Sequence, residues 1–242
     1  MIHFHGAPCP GDMDQQIKFF TKRDVLMSYA HRKNEGLLFG VCRTFVLDNG
    51  AFSLWKGGED VDWNDFYEWV DQWRNHPRFE FFFIPDVIGG SDEENQELME
   101  QCPFPDHISV PVYHLGESFR RLSEMVERYP RIAIGSTQGF ELKTMRFFNE
   151  MRKIFEVICD QDGVPQAKVH GLRMLDPEIV EKFPFSSCDS ATASIKSMFD
   201  KEWKHRFWPQ SKAGRAALVA DYLERAQSPS FYQLKPVQME LL

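Results

Sequence analysis

Short apolar runs alternate with longer amphipathic stretches along most of the chain. The runs lie at about positions 2–5, 25–30, 44–48, 80–84, 109–114, 131–135, 168–170 and 185–188. Short apolar segments bounded by Gly, Pro and Asp are typical of buried strands. The last run is the weakest, and mainly its place in the series predicts a strand there.

The stretches between the runs carry helical signals. Apolar side chains recur at helical spacing over 63–73, Ser91 precedes an acidic first turn, and 118–129 is amphipathic. A long helix is predicted over 142–158, and a closing helix over 211–225.

Strands that alternate with helices predict a parallel sheet of the α/β class, and eight such units predict a (β/α)8 TIM-type barrel with a C-terminal helix. A doubly wound open sheet is the alternative, because eight parallel strands need not close. We expect one barrel domain over 1–228 and a flexible tail over 229–242.

Composition and charge restrict the class of protein. The chain is 43% hydrophobic and 26% charged, which excludes global disorder, and its 242 residues suit one barrel. Its 22 phenylalanines predict an aromatic core or a pocket for a flat ligand. The net charge of −8 argues against a broadly basic surface, although a local basic patch is compatible with it.

Targeting and cysteine patterns indicate a cytoplasmic protein. The start of the chain lacks a basic region followed by an apolar run, and no apolar stretch approaches the roughly 20 residues of a membrane helix. The five cysteines are scattered without paired spacing, so we expect reduced thiols and no structural zinc.

Polar residues follow nearly every predicted strand. In a parallel barrel these strand ends meet at one mouth, where active sites lie. A single Asp after a strand is more often a helix cap than a catalyst, but several acids and histidines at one mouth favour function. The residues concerned are His5, His31, Asp48, Asp86, His114, Gly135, Ser136, His170, Gly171 and Asp189.

These residue types suit chemistry at a sugar carbon that carries a base. Two carboxylates can divide the roles of nucleophile and acid/base there, and a third can accept hydrogen bonds from the base edge. Gly135, Ser136 and Gly171 would let a flat ligand approach the backbone, and Phe52 could stack on it.

The segment over 45–52 resembles the Asp-Ser-Gly-Gly-Phe motif of the tRNA-guanine transglycosylases. Asp86 and the segments 134–136, 170–172 and 185–190 follow in the order of the later motifs of that superfamily. The resemblance covers about 44–192 and is strongest to compact phage relatives associated with 7-deazaguanine modification of DNA.

The resemblance implies a role for each matching residue. Asp189 would be the nucleophile that bonds to C1′, Asp48 the acid/base residue and Asp86 the reader of the base edge. Gly135 with Ser136 would lie along the base, and Asn49, Gly50 and Phe52 belong to the same pocket. His5, His114 and His170 have weaker counterparts, which we interpret as pocket or phosphate contacts or as buried structural imidazoles.

The implied activity is that of a pentosyltransferase: exchange of guanine for a 7-deazaguanine-type base in nucleic acid, without a cofactor. This chain departs from the family in two ways. It has no cysteine after Cys188, so the C-terminal zinc site of the tRNA enzymes is missing, and DNA is favoured over tRNA as the partner. Asn49 and Ala51 replace the Ser and the second Gly of the motif.

A basic stretch bears on the polymer partner. Positions 196–215 carry six cationic residues against two acidic ones, with aromatic residues between them. Such a pattern suits a nucleic-acid backbone with splayed bases, and a solvated helix face is the alternative. The predicted contacts are Lys196, Lys204, Arg206, Lys212 and Arg215.

Two other functions stay open on the sequence. A metal-dependent hydrolase of the amidohydrolase type would use His3, His5, His114 and Asp189, although Gly135 and Ser136 stand where that pattern wants a histidine. A barrel that binds a nucleotide or a partner without catalysis is the third hypothesis.

Overall fold

Parallel strands form a nearly closed barrel in the computed structural model, which describes residues 1–51, 62–199 and 208–233. Within these ranges the strands lie in the order β5-β4-β3-β2-β1-β9-β8-β7-β6. Their bounds are β1 Ile2–Ala7, β2 Asp24–Ser28, β3 Phe45–Asp48, β4 Phe79–Phe83, β5 Ser109–Val110, β6 Val112–His114, β7 Arg131–Gly135, β8 Lys168–Gly171 and β9 Ser187–Ser190.

The fifth strand of the barrel is divided at Pro111. β5 pairs with β4 on one side and β6 pairs with β7 on the other. Proline has no N–H to donate, so it interrupts a regular ladder, but the carbonyl of Pro111 still accepts from the Ala133 amide at 2.9 Å. The two short pieces therefore act as one strand, and eight strand positions complete the barrel.

Helices surround the strands. Their bounds are α1 Met13–Phe20, α2 Glu35–Val41, α3 Trp63–Trp73, α4 Asp92–Glu100, α5 Phe119–Arg128, α6 Met145–Ile158, α7 Pro177–Val180, α8 Thr192–Ser197 and α9 Lys212–Leu223. The predicted start at Ser91 is confirmed: Ser91 and Glu94 form a capping box, in which each side chain accepts from the other residue's backbone amide. The side chains of Thr144 and Ser211 cap α6 and α9, and each accepts one hydrogen bond from a backbone amide in the first turn.

Successive side chains along each strand point to opposite sides of the sheet, so the strands contribute to two apolar layers. One side faces the helices, and the other fills the barrel with Phe4, Leu26, Val46, Phe81, Phe83, Val110, Val112 and Ala133. Phe4 and Phe81 meet edge to face at 6.0 Å between ring centroids. Each such buried ring stabilises the fold by about 1.5–3 kcal/mol relative to an exposed one. The expectation of an aromatic core is confirmed.

The predicted TIM-type barrel is confirmed, with local differences. The last strand runs over Ser187–Ser190, two residues later than expected, so Asp189 lies within the strand. His31 ends a short 3-10 helix rather than strand β2. The patterns that form α1 and α2 were not singled out in the sequence.

The chain beyond the closing helix contacts the barrel as far as the structure describes it. Within the predicted tail, the Tyr232 amide donates to the Gly163 carbonyl at 2.7 Å, and its ring lies 6.1 Å from that of Phe183. Among the described helices, none combines the length and the apolar character needed to cross a membrane.

Candidate functional site

Asp48 ends strand β3 at the mouth of the barrel. It is half-buried, and its Oδ2 accepts from the Gly50 amide at 3.2 Å. Burial raises the pKa of Asp48 to about 7, the nearby charges of Asp189 and Asp86 act in the same direction, and the Ser28 hydroxyl opposes them. Asp189 and Asp86 therefore lie close enough to Asp48 to influence its protonation.

Gly50 makes the turn after Asp48 possible. Its φ of +76° is a backbone conformation that favours glycine, and a Cβ there would lie 3.0 Å from the Ser28 hydroxyl. Gly50 therefore acts through its backbone, which positions the Asp48 carboxyl.

Asp189 lies on strand β9 with its side chain inside the barrel, and it is 5% exposed. Its Oδ1 accepts from the Arg173 amide at 2.8 Å and lies 3.2 Å from Nε2 of His170. Arg173 has a φ of 58°, in the left-handed region that non-glycine residues rarely adopt. Strain of this kind is concentrated at functional sites, and here it aims a backbone N–H at the carboxylate.

His170 lies beneath Asp189, enclosed by aromatic rings. Its ring centroid is 4.9 Å from that of Phe83, and the residue is fully buried. Burial lowers the pKa of His170, which favours the neutral imidazole. We therefore assign the Nε2 proton to the bond with Asp189, while Nδ1 accepts from the Ser187 hydroxyl at 2.8 Å. His170 is placed to orient Asp189 rather than to touch a ligand.

Asp86 and Asn49 are bonded to each other instead of facing a ligand. The Asn49 amide donates to the Ile84 carbonyl and to Asp86 Oδ1, both at 2.8 Å, and its oxygen accepts from the Ala51 amide. The other carboxylate oxygen of Asp86 accepts from His114 Nε2 at 2.7 Å. Both oxygens of Asp86 are thus occupied, which conflicts with its expected role as the reader of a base edge.

The three small residues expected along a base differ in their surroundings. Gly135 ends strand β7 beside the His114 ring, and Ser136 follows it, half-buried. A Cβ on Gly171 would lie 2.8 Å from the sulfur of Cys188, within the packing between the barrel and its helices. Gly171 therefore serves packing, and its expected ligand contact is not supported.

The predicted basic surface is only partly described. Lys196 and Lys212 are exposed on α8 and α9. Arg215 is 5% exposed and donates to the carbonyls of Ser197 and Gln210 at 2.8 and 2.9 Å, so it links helices rather than presenting a surface charge. Phe52, Lys204 and Arg206 lie outside the described residues.

The geometry argues against the predicted hydrolase metal site. His3 and His5 project toward α9 and the segment after it: His3 Nε2 lies 2.7 Å from the Ala226 carbonyl, and His5 Nε2 lies 2.9 Å from Glu224 Oε1. Both side chains are on the helix-facing side of β1, away from Asp189. Among the residues in the described ranges, no group of three or more His, Cys, Asp or Glu could hold a metal ion.

Sequence reasoning missed the residues that support the site. The Arg173 amide donates to Asp189, and the Ser187 hydroxyl is bonded to His170. Glu117 Oε2 accepts from the His114 backbone amide at 3.0 Å. Ser187 could have been predicted, because it lies two residues before Asp189 and so shares its face of the strand. The role of Arg173 depends on a loop conformation that no local pattern revealed.

Solved structures with the same fold include tryptophan synthase alpha-subunits. One from Pyrococcus furiosus, a mutant, is 12% identical over 93% of this chain and 95% of that one, with a TM-score of 0.51. Tryptophan synthase from M. tuberculosis, in an aminoacrylate- and BRD0059-bound form, is 10% identical over 93% of this chain and 91% of that chain, with a TM-score of 0.53. At this identity the likeness shows the fold alone. No protein-family model matches the chain, and no curated protein does.

The resemblance to the tRNA-guanine transglycosylases is therefore wrong, and so are the activities it implied. The solved structures that it resembles include tryptophan synthase alpha-subunits, and neither a family model nor a curated protein supports a pentosyltransferase, 7-deazaguanine exchange or DNA modification. Strand-end Asp, Gly and Ser residues arise in any barrel of this kind, because the strand ends carry turns, helix caps and polar ligands. Short motifs at those positions do not distinguish one barrel family from another.

Proposed function

We propose that this chain is a barrel enzyme of the lyase type, which breaks or forms a bond in a small polar substrate by proton transfer involving Asp48 and Asp189. The observation that carries the proposal is that one mouth holds two carboxyl groups in different environments. Asp48 is half-buried with one backbone donor, whereas Asp189 is buried and bonded to Arg173 and His170. Carboxyl pairs whose environments differ in this way divide acid and base roles.

The protonation of Asp48 suits such a role. Its pKa, raised to about 7, makes both the acid and the carboxylate accessible at neutral pH. The charge of Asp189 contributes to this rise, so an ionised Asp189 favours the protonated form of Asp48.

The reaction balances within the site. The Asp189 carboxylate removes a proton from the substrate, and the electrons of that bond form a double bond as the leaving group departs. Asp48 gives its proton to the leaving group, and transfer of the proton from Asp189 to Asp48 restores the starting state. No oxidant or further reactant is consumed.

The fold supports this placement. Enzymes with this barrel carry their active sites at the carboxyl ends of the strands, where Asp48, Asp86 and Asp189 lie. The similar structures are named as subunits of a synthase, which is consistent with an enzyme.

A screen of small polar compounds tests the proposed chemistry. The purified protein is incubated in D2O with a panel of hydroxy compounds, neutral as well as phosphorylated and carboxylated, and deuterium uptake and bond cleavage are followed by NMR. We expect wild-type protein to convert at least one compound. Asp48→Asn and Asp189→Asn should each slow that conversion by about 100-fold or more, the usual contribution of a general acid or base.

The matched control is Asp162→Asn, the same change at an exposed turn. It should leave the rate unchanged. Conversion that is equally fast in all variants, or no conversion by wild-type protein across the panel, would contradict the proposed function.

A further inference from the structure

A hydrogen-bonded chain of three side chains at the mouth ends at Nδ1 of His114. Asn49 uses its side-chain oxygen and both donor hydrogens, and Asp86 uses both carboxylate oxygens. His114 uses Nε2 toward Asp86, but its Nδ1 is buried and has no hydrogen-bond partner among residues 1–51, 62–199 and 208–233. Buried polar atoms are rarely left unpaired, because an unmade bond costs about 1–3 kcal/mol.

The protonation of Asp86 and His114 determines whether Nδ1 carries a proton that it can donate. An ionised carboxylate only accepts hydrogen bonds, so the proton between Asp86 and His114 belongs to Nε2. Burial alone would lower the pKa of His114, but its bond to Asp86 and the charges of Asp86 and Glu117 outweigh burial and the opposing Arg121 charge, so that pKa is raised. The imidazolium form, in which Nδ1 also carries a proton, is thereby favoured.

Gly135 lies beside this atom. A Cβ on Gly135 would lie 3.1 Å from His114 Nδ1, which is closer than most Cβ atoms come to a neighbour. A side chain at position 135 would therefore crowd the imidazole at Nδ1, and the glycine avoids that contact. Since Gly135 has no left-handed φ, turn geometry does not account for a glycine here.

We propose that the Nδ1–H of His114 binds an anionic oxygen of the substrate, from a carboxylate or a phosphate group, over Gly135. Asp86 and Asn49 are positioning residues, which hold the imidazole in the orientation that presents this donor. The inference rests on the proposed function only in that the anion is assigned to the substrate of the same mouth. It deepens that function by naming the substrate class as small anionic compounds.

The test uses the whole chain with ¹⁵N-labelled histidine, and long-range NMR spectra report the ring nitrogens. Inorganic phosphate and acetate are titrated separately, and the His114 signals are assigned by their loss in His114→Gln. We expect Nδ1 of His114 to shift in a saturable way with one or both anions. A response to phosphate alone identifies a phosphate group, and a response to acetate alone identifies a carboxylate.

Two variants make the result specific. Gly135→Ala should weaken the affinity about tenfold or more, as expected when one hydrogen bond to a charged group is obstructed. His107→Gln changes an exposed histidine and should leave the affinity unchanged. Absence of a saturable Nδ1 response to either anion, or equal affinity in Gly135→Ala, would overturn the proposal.

This experiment measures binding without turnover. Asp48→Asn and Asp189→Asn are expected to keep the anion response of His114. Failure of the proposed function would therefore appear in the conversion assay, whereas failure of the anion site would appear only here.

Discussion

The backbone amide of Arg173 donates a hydrogen bond to the carboxylate of Asp189 at 2.8 Å while Arg173 holds a left-handed φ of 58°. The loop after strand β8 thus stores backbone strain at the point where it orients a buried acid. The side chain of the same residue carries a positive charge that partly opposes the rise in the pKa of Asp48. One residue therefore affects both carboxyl groups, through its backbone and through its charge.

Arg173→Gly and Arg173→Ala separate these two effects. Both variants remove the charge, but only glycine relieves the strained conformation, so the glycine variant should be more stable by about 1 kcal/mol. Urea denaturation checks this difference. Equal stability of the two variants would show that the left-handed conformation carries no measurable cost.

Asp48→Asn is expected to stabilise the protein at high pH. A carboxyl group whose pKa is higher in the folded state than in the unfolded chain resists ionisation on folding, so it destabilises the fold once the pH exceeds its unfolded pKa. The benefit of the variant should be absent below about pH 4, grow as the pH rises toward 7, and reach about 2 kcal/mol, allowing for partial exposure. Denaturation curves at pH 4 and pH 8 measure it, and a benefit that is the same at both values would contradict the raised pKa of Asp48.

Asp86→Asn should lower the pKa of His114, because the carboxylate is what outweighs burial of the imidazole. A histidine with a raised pKa stabilises the fold fully below its unfolded pKa of about 6.5, and that contribution is lost as the pH rises through the folded pKa. The variant should therefore lose most stability in acid and less above neutrality. Histidine NMR titration and denaturation at several pH values provide the measurement; a greater loss at pH 9 than at pH 6 would contradict it.

Gly171→Ala is expected to destabilise the fold by about 1–3 kcal/mol, because the added methyl group would overpack the region around Cys188 and Met174. Gly40→Ala is the matched control: its Cβ would meet nothing within 4 Å, and it lies within helix α2. That variant should gain up to about 1 kcal/mol from helix propensity. Thermal denaturation distinguishes the two, and a harmless Gly171→Ala would remove the packing explanation.

The barrel was predictable because its signals are local and repeated. Runs such as 131–135 carry enough apolar residues to predict a strand, and the alternation with helices predicts a parallel sheet. The shift of the last strand to Ser187–Ser190 was not predictable, because Phe185 packs against the helices outside the strand while Ser187 and Asp189 are polar residues inside the barrel.

The site was predictable only as a location. Asp48, Asp86 and Asp189 were expected at one mouth because the ends of parallel strands converge there. Their partners could not be read from spacing, since Asp86 meets Asn49 and His114 only once three strands are assembled. For the same reason the resemblance of short strand-end motifs led to the wrong family: it compared positions without their hydrogen bonds.

The most direct test of the account is the titration of Asp48 itself, followed by ¹³C NMR of its side-chain carboxyl in wild-type protein and in Asp189→Asn. The account predicts a midpoint near the value of about 7 in wild-type protein and a lower midpoint in the variant, because the charge of Asp189 contributes to the shift. A midpoint close to 4 in wild-type protein, or the same midpoint in both proteins, would contradict the effect of Asp189 on the pKa of Asp48, on which the proposed function depends.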